Sequence, residues 1–204
     1  MSAILHIKDL FVTVLSGLDI FGVLGAILGS SSGLFRNRRN ILLCGALGST
    51  CFALHFAGIG AYTGATMCAV SMTQSLAASR IPDGGGRPKW LLPFCGATTA
   101  VVLGSTFVTW QGAASLFAAS GSLLATLGRL QPTPQRMRLA FLACSLSWMG
   151  HNLLNLSVPG LAGDVLGISL LSFALHRDGL WRKLFARNRP PLARIAGPGL
   201  GSTA

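Results

Sequence analysis

The sequence predicts an all-α polytopic membrane protein of about seven transmembrane helices. Three observations predict it: charge is scarce, apolar runs of near-bilayer length follow one another, and basic residues are confined to alternate connections. Of the 204 residues, 51% are hydrophobic and 10% charged, against about 25% charged in a soluble domain. Mean hydropathy is +0.61. The only acidic residues are five Asp. A soluble chain this poor in charge would expose large apolar patches, which soluble monomers rarely do. Lipid is the simpler solvent.

A transmembrane helix needs about 20 mainly apolar residues. Read in order, the runs fall at roughly 11–35, 41–58, 62–79, 90–108, 113–130, 139–156 and 160–176. Several are short and rich in Gly, which suits tight packing in a thin bilayer. The first follows Lys8-Asp9 instead of a basic leader with a cleavage site, so it reads as a retained helix. Gly25 and Gly29 within it form a GxxxG, which serves either contact inside the bundle or a homo-oligomer. Cys44, Cys51, Cys68, Cys95 and Cys144 all lie in apolar runs with no CxxC pair. They read as small buried hydrophobes. Gly84-Gly85-Gly86 lacks the Lys-Ser/Thr of a P-loop and reads as a flexible loop.

The net charge of +11 raises the question of nucleic acid. The cations sit in short clusters between apolar runs, without interleaved aromatics, so no nucleic-acid partner is expected. Arg36-Asn37-Arg38-Arg39, the stretch Arg80 to Lys89, the stretch Arg129 to Arg138 and everything from Arg177 follow spans one, three, five and seven. The connections near Ile59-Gly60, Thr109-Trp110-Gln111 and Ser157-Val158-Pro159 hold no Lys or Arg. All sixteen cations except Lys8 therefore fall on one face. The positive-inside rule makes that face cytoplasmic, with the N-terminus outside and the C-terminus in the cytoplasm. The tail holds Trp181, Arg182, Lys183 and Phe185, a short basic segment suited to lipid headgroups. Its Pro and Gly from 189 onward favour disorder.

Sliding the chain over itself by 96 residues places Phe21 on Phe117, Gly25 on Gly121, Phe52 on Trp148, His55 on His151 and Gly64 on Gly160. This pairs spans one to three with spans five to seven and leaves span four as a linker. Two units of three helices separated by one helix share an orientation. The expected layout is two parallel three-helix repeats plus a linker helix, 3+1+3. The corresponding divisions are 1–80, 81–109 and 110–178, with a basic tail over 179–204.

His55-Phe56 followed by Gly60-Ala61-Tyr62, behind Phe35-Arg36-Asn37-Arg38-Arg39, forms one motif. Trp148-Met149-Gly150-His151-Asn152, with Gly160 and Asp164 downstream, forms another. Both resemble the bacterial YgjV-type inner membrane proteins, over roughly residues 20 to 180. The resemblance implies a multi-pass protein of the bacterial inner (plasma) membrane and carries no settled activity. Where related sequences tend to show an Asn and an Arg in span three, this chain has Ser71 and Gln74. A weaker likeness to SWEET and PQ-loop transporters rests on the 3+1+3 layout alone.

Ionisable residues inside a membrane are costly and are functional candidates by default. Asp19, His55, His151 and Asp164 stand out. At 1.5 Å per residue from the basic end of each helix they lie at depths of roughly 18–22 Å, one common layer. His151 and Asp164 flank a turn and are expected to pair; Asp19 is placed to meet His55. Trp148, His151 and Asn155 share a helix face, as do Phe52, His55 and Ile59. Asn152 adjoins the second set. These residues read either as a substrate or proton pathway or as structural hydrogen bonds between helices. Ser71 and Gln74 face the same choice, with packing the favoured reading.

No HExxH, Gly-x-Ser-x-Gly or close carboxylate pair is present, so no enzyme activity, cofactor or metal is expected. The leading expectation is a small-solute transporter, proton-coupled through the polar layer. The alternative is a non-transporting membrane factor such as a subunit, sensor or assembly partner.

Overall fold

The computed structural model describes residues 19–82 and 88–179. They form seven helices: α1 Ile20–Ser31, α2 Arg38–Gly58, α3 Tyr62–Ser79, α4 Leu91–Val108, α5 Ala113–Arg129, α6 Pro134–Leu154 and α7 Val158–Arg177. A 3-10 turn, Ser32–Leu34, extends α1. The expected start of the first span, most of the glycine loop and the basic tail lie outside the described residues. By length and composition, α2, α4 and α7 can each cross a membrane, and Ile20–Leu34 is a shorter apolar segment. Helices α3, α5 and α6 are not among the helices that meet this length and composition.

Local sequence explains the helix ends. Asp19 caps α1, its Oδ1 accepting from the Gly22 N–H at 2.7 Å. Thr133 caps α6 ahead of Pro134, and Ser157 caps α7 ahead of Val158-Pro159. Side-chain acceptors at these positions satisfy N–H groups that the first helical turn leaves free. Proline is tolerated there because its missing N–H has no intrahelical partner in any case. Gly60 (φ 76°) and Gly112 (φ 72°) turn the chain into α3 and α5 in the left-handed region, which glycine enters without steric cost.

Six helices pack as a closed ring in the order α1, α2, α3, α5, α6, α7 and back to α1. Helix α4 stands outside this ring, resting mainly on α3 and α5. Its outer face is apolar, with Phe107 and Val108 82% and 86% exposed. Small residues let the ring close. A Cβ on Gly48 would stand 2.7 Å from the Gly29 backbone nitrogen, and one on Gly25 would stand 3.0 Å from the Phe52 ring. The Gly25/Gly29 stripe is thus spent on α2, inside the chain. The buried face of α5 is built from Ala114, Ala118, Gly121, Ser122 and Ala125, which admits close neighbours on both sides.

Three arginines close the basic end of the ring, and all are buried. Arg38 on α2 donates to the carbonyls of Ala78 on α3 and Arg129 on α5, both at 2.8 Å. Arg138 on α6 pairs with Asp178, just past α7, and donates to the Phe35 carbonyl behind α1. Arg38 and Arg138 each sit near the start of one helix and tie the C-terminal ends of two others. Free carbonyls and the negative end of the helix dipole make these ends natural cation sites. The sequence places the stretch from Arg129 to Arg138 in a connection, but both arginines stand in helices and face inward. Ala125 and Ser122, four and seven positions before Arg129, are buried, so the helix period carries Arg129 into the interior.

Candidate functional site

Inside the ring lies a cavity of about 170 Å³. All six ring helices line it and α4 does not. Its wall changes character along its length. Near the basic end it holds Arg129 with Ser75, Ile41 and Phe141. At the other end it holds Asn152 and Asp164 beside Phe52, Phe56 and Trp148.

The three aromatic side chains form one stack. The Phe52 and Phe56 rings lie 5.7 Å apart at 19°, and the Phe56 and Trp148 rings 5.8 Å apart at 14°. Behind the stack stand the two imidazoles. The His55 and His151 rings each lie 5.2 Å from the Phe56 ring. Neither histidine lines the cavity. Two residues at equivalent positions in their helices therefore flank one aromatic side chain, and the stack separates them from the central space.

His55 is 1% exposed and bonded through both ring nitrogens. Its Nδ1 meets the Asp19 carboxylate and its Nε2 lies 2.8 Å from the Ser157 hydroxyl. A carboxylate only accepts, so Nδ1 carries the proton, and Nε2 accepts from Ser157. This chain of bonds joins α1, α2 and α7. Its connectivity is that of a Ser-His-Asp relay. Ser157 Oγ, however, is 2% exposed and also accepts from the Gly160 N–H as the cap of α7. That hydroxyl is placed to hold the helix and pass a proton, with no wall of the cavity beside it.

His151 is wholly buried. Its Nδ1 donates to the Ala114 carbonyl at 2.9 Å, so the imidazole bridges α6 to α5. Its Nε2 edge faces Gly64 so closely that a Cβ there would stand 2.5 Å away. The expected bond between His151 and Asp164 is not formed. Asp164 Oδ2 accepts instead from Asn152 Nδ2 at 2.7 Å. Equal depth was the ground for pairing His151 with Asp164, but depth ignores rotation. One residue further along α6 turns the side chain by about 100°. That turn points Asn152 at α7 and His151 at α5. Asn155 caps the end of α6 and its Nδ2 donates to the His151 carbonyl at 2.8 Å.

The polar groups nearly connect. Asp19, with its side chain 36% exposed, reaches His55 and then Ser157. Asn152 Oδ1 and Ser157 Oγ lie 2.4 and 2.6 Å from the place a Gly160 Cβ would take. The two oxygens face each other across a bare glycine, and Asn152 leads on to Asp164 in the cavity wall. Asn152 Oδ1 is buried without a hydrogen-bond partner.

Sequence reasoning missed a second polar centre. Gln74 is 2% exposed; its Oε1 accepts from Thr126 and from Arg129 Nη1, both at 3.0 Å. Its Nε2 donates to Thr98 at 2.7 Å. Arg129 Nε donates to Ser75 at 2.8 Å. The signal was available in α5, where Arg129 continues the small-residue stripe at Ser122 and Ala125. Assigning every cation to the loops hid it.

The family model for Imp-YgjV, described as a bacterial inner membrane protein, matches residues 18–181. The chain belongs to this family. It is thereby a bacterial inner membrane protein, in keeping with its apolar helices. No curated protein and no solved structure matches it. The matched stretch contains every residue of the ring, the cavity and both polar centres.

Proposed function

We propose that this inner membrane protein carries a small solute across the membrane, coupled to protons. The observation that supports the reading most is the cavity lined by six helices, with Arg129 toward one end and Asp164 toward the other. Structural hydrogen bonding alone would favour a closed interior, because protein cores pack to crystal density. A space lined by an aromatic stack and a few convergent polar groups has the makeup of a ligand pocket. We read the ring as two three-helix units, α1–α3 and α5–α7, in parallel orientation, with α4 as the linker. The same offset of 96 residues relates Gly25 against Phe52 to Gly121 against Trp148. In this topology all seven helices cross, the N-terminus is outside and the basic end is cytoplasmic. The near-continuous path from Asp19 through His55 and Ser157 to Asp164 then gives protons a route from the outer surface to the cavity. His is the group whose ordinary titration lies closest to neutral pH. The same relay serves transport without a nucleophilic role for Ser157.

Proteoliposome uptake of sugars, amino acids, organic acids and monovalent ions, with and without an inward proton gradient, tests the proposal. At least one solute class is expected to accumulate, and the gradient is expected to stimulate it. His55→Ala is expected to remove the stimulation while leaving some uptake. Absence of uptake across all classes overturns the reading and favours a non-transporting factor, which would then copurify with a stoichiometric partner in mild detergent.

A further inference from the structure

Arg129 is a charge in an unusual setting. The residue is 5% exposed, yet the arginine ion pairs among the described residues are Arg138 with Asp178 and Arg177 with Asp178. Arg129 is in none of them. Its hydrogen-bond acceptors, Ser75 Oγ and Gln74 Oε1, are neutral. The Phe141 ring stands 5.9 Å from its guanidinium carbon. A buried cation compensated by neutral groups alone is expensive. The two bonds engage Nε and Nη1 and use two of the five donors of the fork. The other three remain beside the cavity that Arg129 lines.

The carboxylate in the same wall does not serve as its counter-ion. The guanidinium sits at the level of Gln74, twelve residues along α3 from its non-basic end. Asp164 lies six residues along α7 from the same end. The difference is about 9 Å along the axis. Phe52 and Trp148, each six residues from the same end of their own helices, stand at the level of Asp164, so the stack faces Arg129 along the length of the cavity. An apolar cavity of about 150 Å³ takes up benzene, and this one measures about 170 Å³. It therefore suits a solute of one ring or a short carbon chain.

We propose that the cavity binds a small organic carboxylate, with its anionic group on the Arg129 guanidinium and its apolar body against the aromatic stack. A planar fork with donors to spare matches a carboxylate in shape and charge. This assignment deepens the transport reading by naming the solute class, and it rests on that reading only for the movement of the solute, not for its binding.

Equilibrium binding to the purified full chain in detergent micelles separates the two. The probes are benzoate and its neutral isostere benzamide, followed by titration calorimetry and by quenching of Trp148 fluorescence. Trp148→Phe assigns the quench. Benzoate is expected to bind saturably and to be displaced by lactate, with benzamide roughly ten- to a hundredfold weaker, the worth of a charge-assisted hydrogen bond. Arg129→Gln is expected to lose benzoate binding by a similar factor, and Arg129→Lys to retain part of it. Equal binding of benzoate and benzamide, unchanged binding in a folded Arg129→Gln variant, or no saturable benzoate binding would each overturn the proposal. If Arg129→Gln fails to fold, the wild-type comparison of acid with amide decides alone. Saturable benzoate binding without uptake of any solute would leave the anion site standing and remove transport. Uptake of neutral solutes without benzoate binding would do the reverse.

Discussion

Gly160 shows how little spare room the polar path contains. Its missing side chain is what allows Asn152 and Ser157 to face each other, since a Cβ would meet their oxygens at 2.4 and 2.6 Å. Both are held from behind: Ser157 by His55 and by its capping bond, Asn152 by Asp164. Neither can retreat without losing a buried hydrogen bond. Gly160→Ala is therefore expected to destabilise the fold by about 1–3 kcal/mol and to lower the thermal midpoint in detergent. Gly104→Ala on α4 is the control. A Cβ there meets nothing within 4 Å, so it is expected to be neutral or to stabilise by up to about 1 kcal/mol. Equal midpoints for the two variants would show that the packing at Gly160 has room for a methyl group. Gly64 and Gly22 make the same kind of contact with His151 and with His55, so each imidazole is held in place by a glycine on a neighbouring helix.

Helices were legible in the sequence almost to the residue where they cross between polar ends. Helix α3 runs from Tyr62 to Ser79 and α5 from Ala113 to Arg129, as their apolar runs predict. Two starts were read late. Helix α2 begins at Arg38 and α6 at Pro134, because hydropathy counts an arginine against a span while a helix accepts one near its end. The pairing of Asp19 with His55 followed from adjacency of spans one and two. The partners of Asp164 and His151 did not, since they depend on helix rotation. The arginine clamps were hidden for the same reason, and they give this scale its prediction. Arg138 is 1% exposed and joins α6 to Asp178 and to the Phe35 carbonyl. Arg138→Met leaves both acceptors without it and is expected to cost about 3 kcal/mol, the lower end for a broken buried pair because Asp178 keeps some exposure. Adding Asp178→Asn is expected to restore part of the loss, since no charge is then left unpaired. Arg39, which is exposed, is expected to change stability by less than about 0.5 kcal/mol when replaced by Met. Denaturation midpoints of the four proteins check the set. A double variant no more stable than the single one would mean that Arg138 acts through the Phe35 carbonyl alone.

At the scale of the whole molecule, the ring and the charge distribution constrain each other. Six helices around one cavity require the basic ends to gather at one side, and the chain meets this with Arg38, Arg129 and Arg138 turned inward and Arg36, Arg39 and Arg136 turned out. The same end therefore carries the clamps that close the ring and the exposed cations that the positive-inside rule reads. If that end faces the cytoplasm, Gln111, in the turn before α5, faces the outside, and Arg36, in the turn before α2, faces the inside. A Gln111→Cys variant is expected to react with a membrane-impermeant maleimide in cells whose outer membrane alone has been permeabilised. An Arg36→Cys variant is expected to react only after the inner membrane is opened. The native cysteines lie in helices and are buried or half-buried, so the background is expected to be low. The reverse pattern would place the Asp19 end of the path in the cytoplasm. It would leave the cavity and its arginine unchanged but invert the direction in which a proton gradient could drive a solute through it.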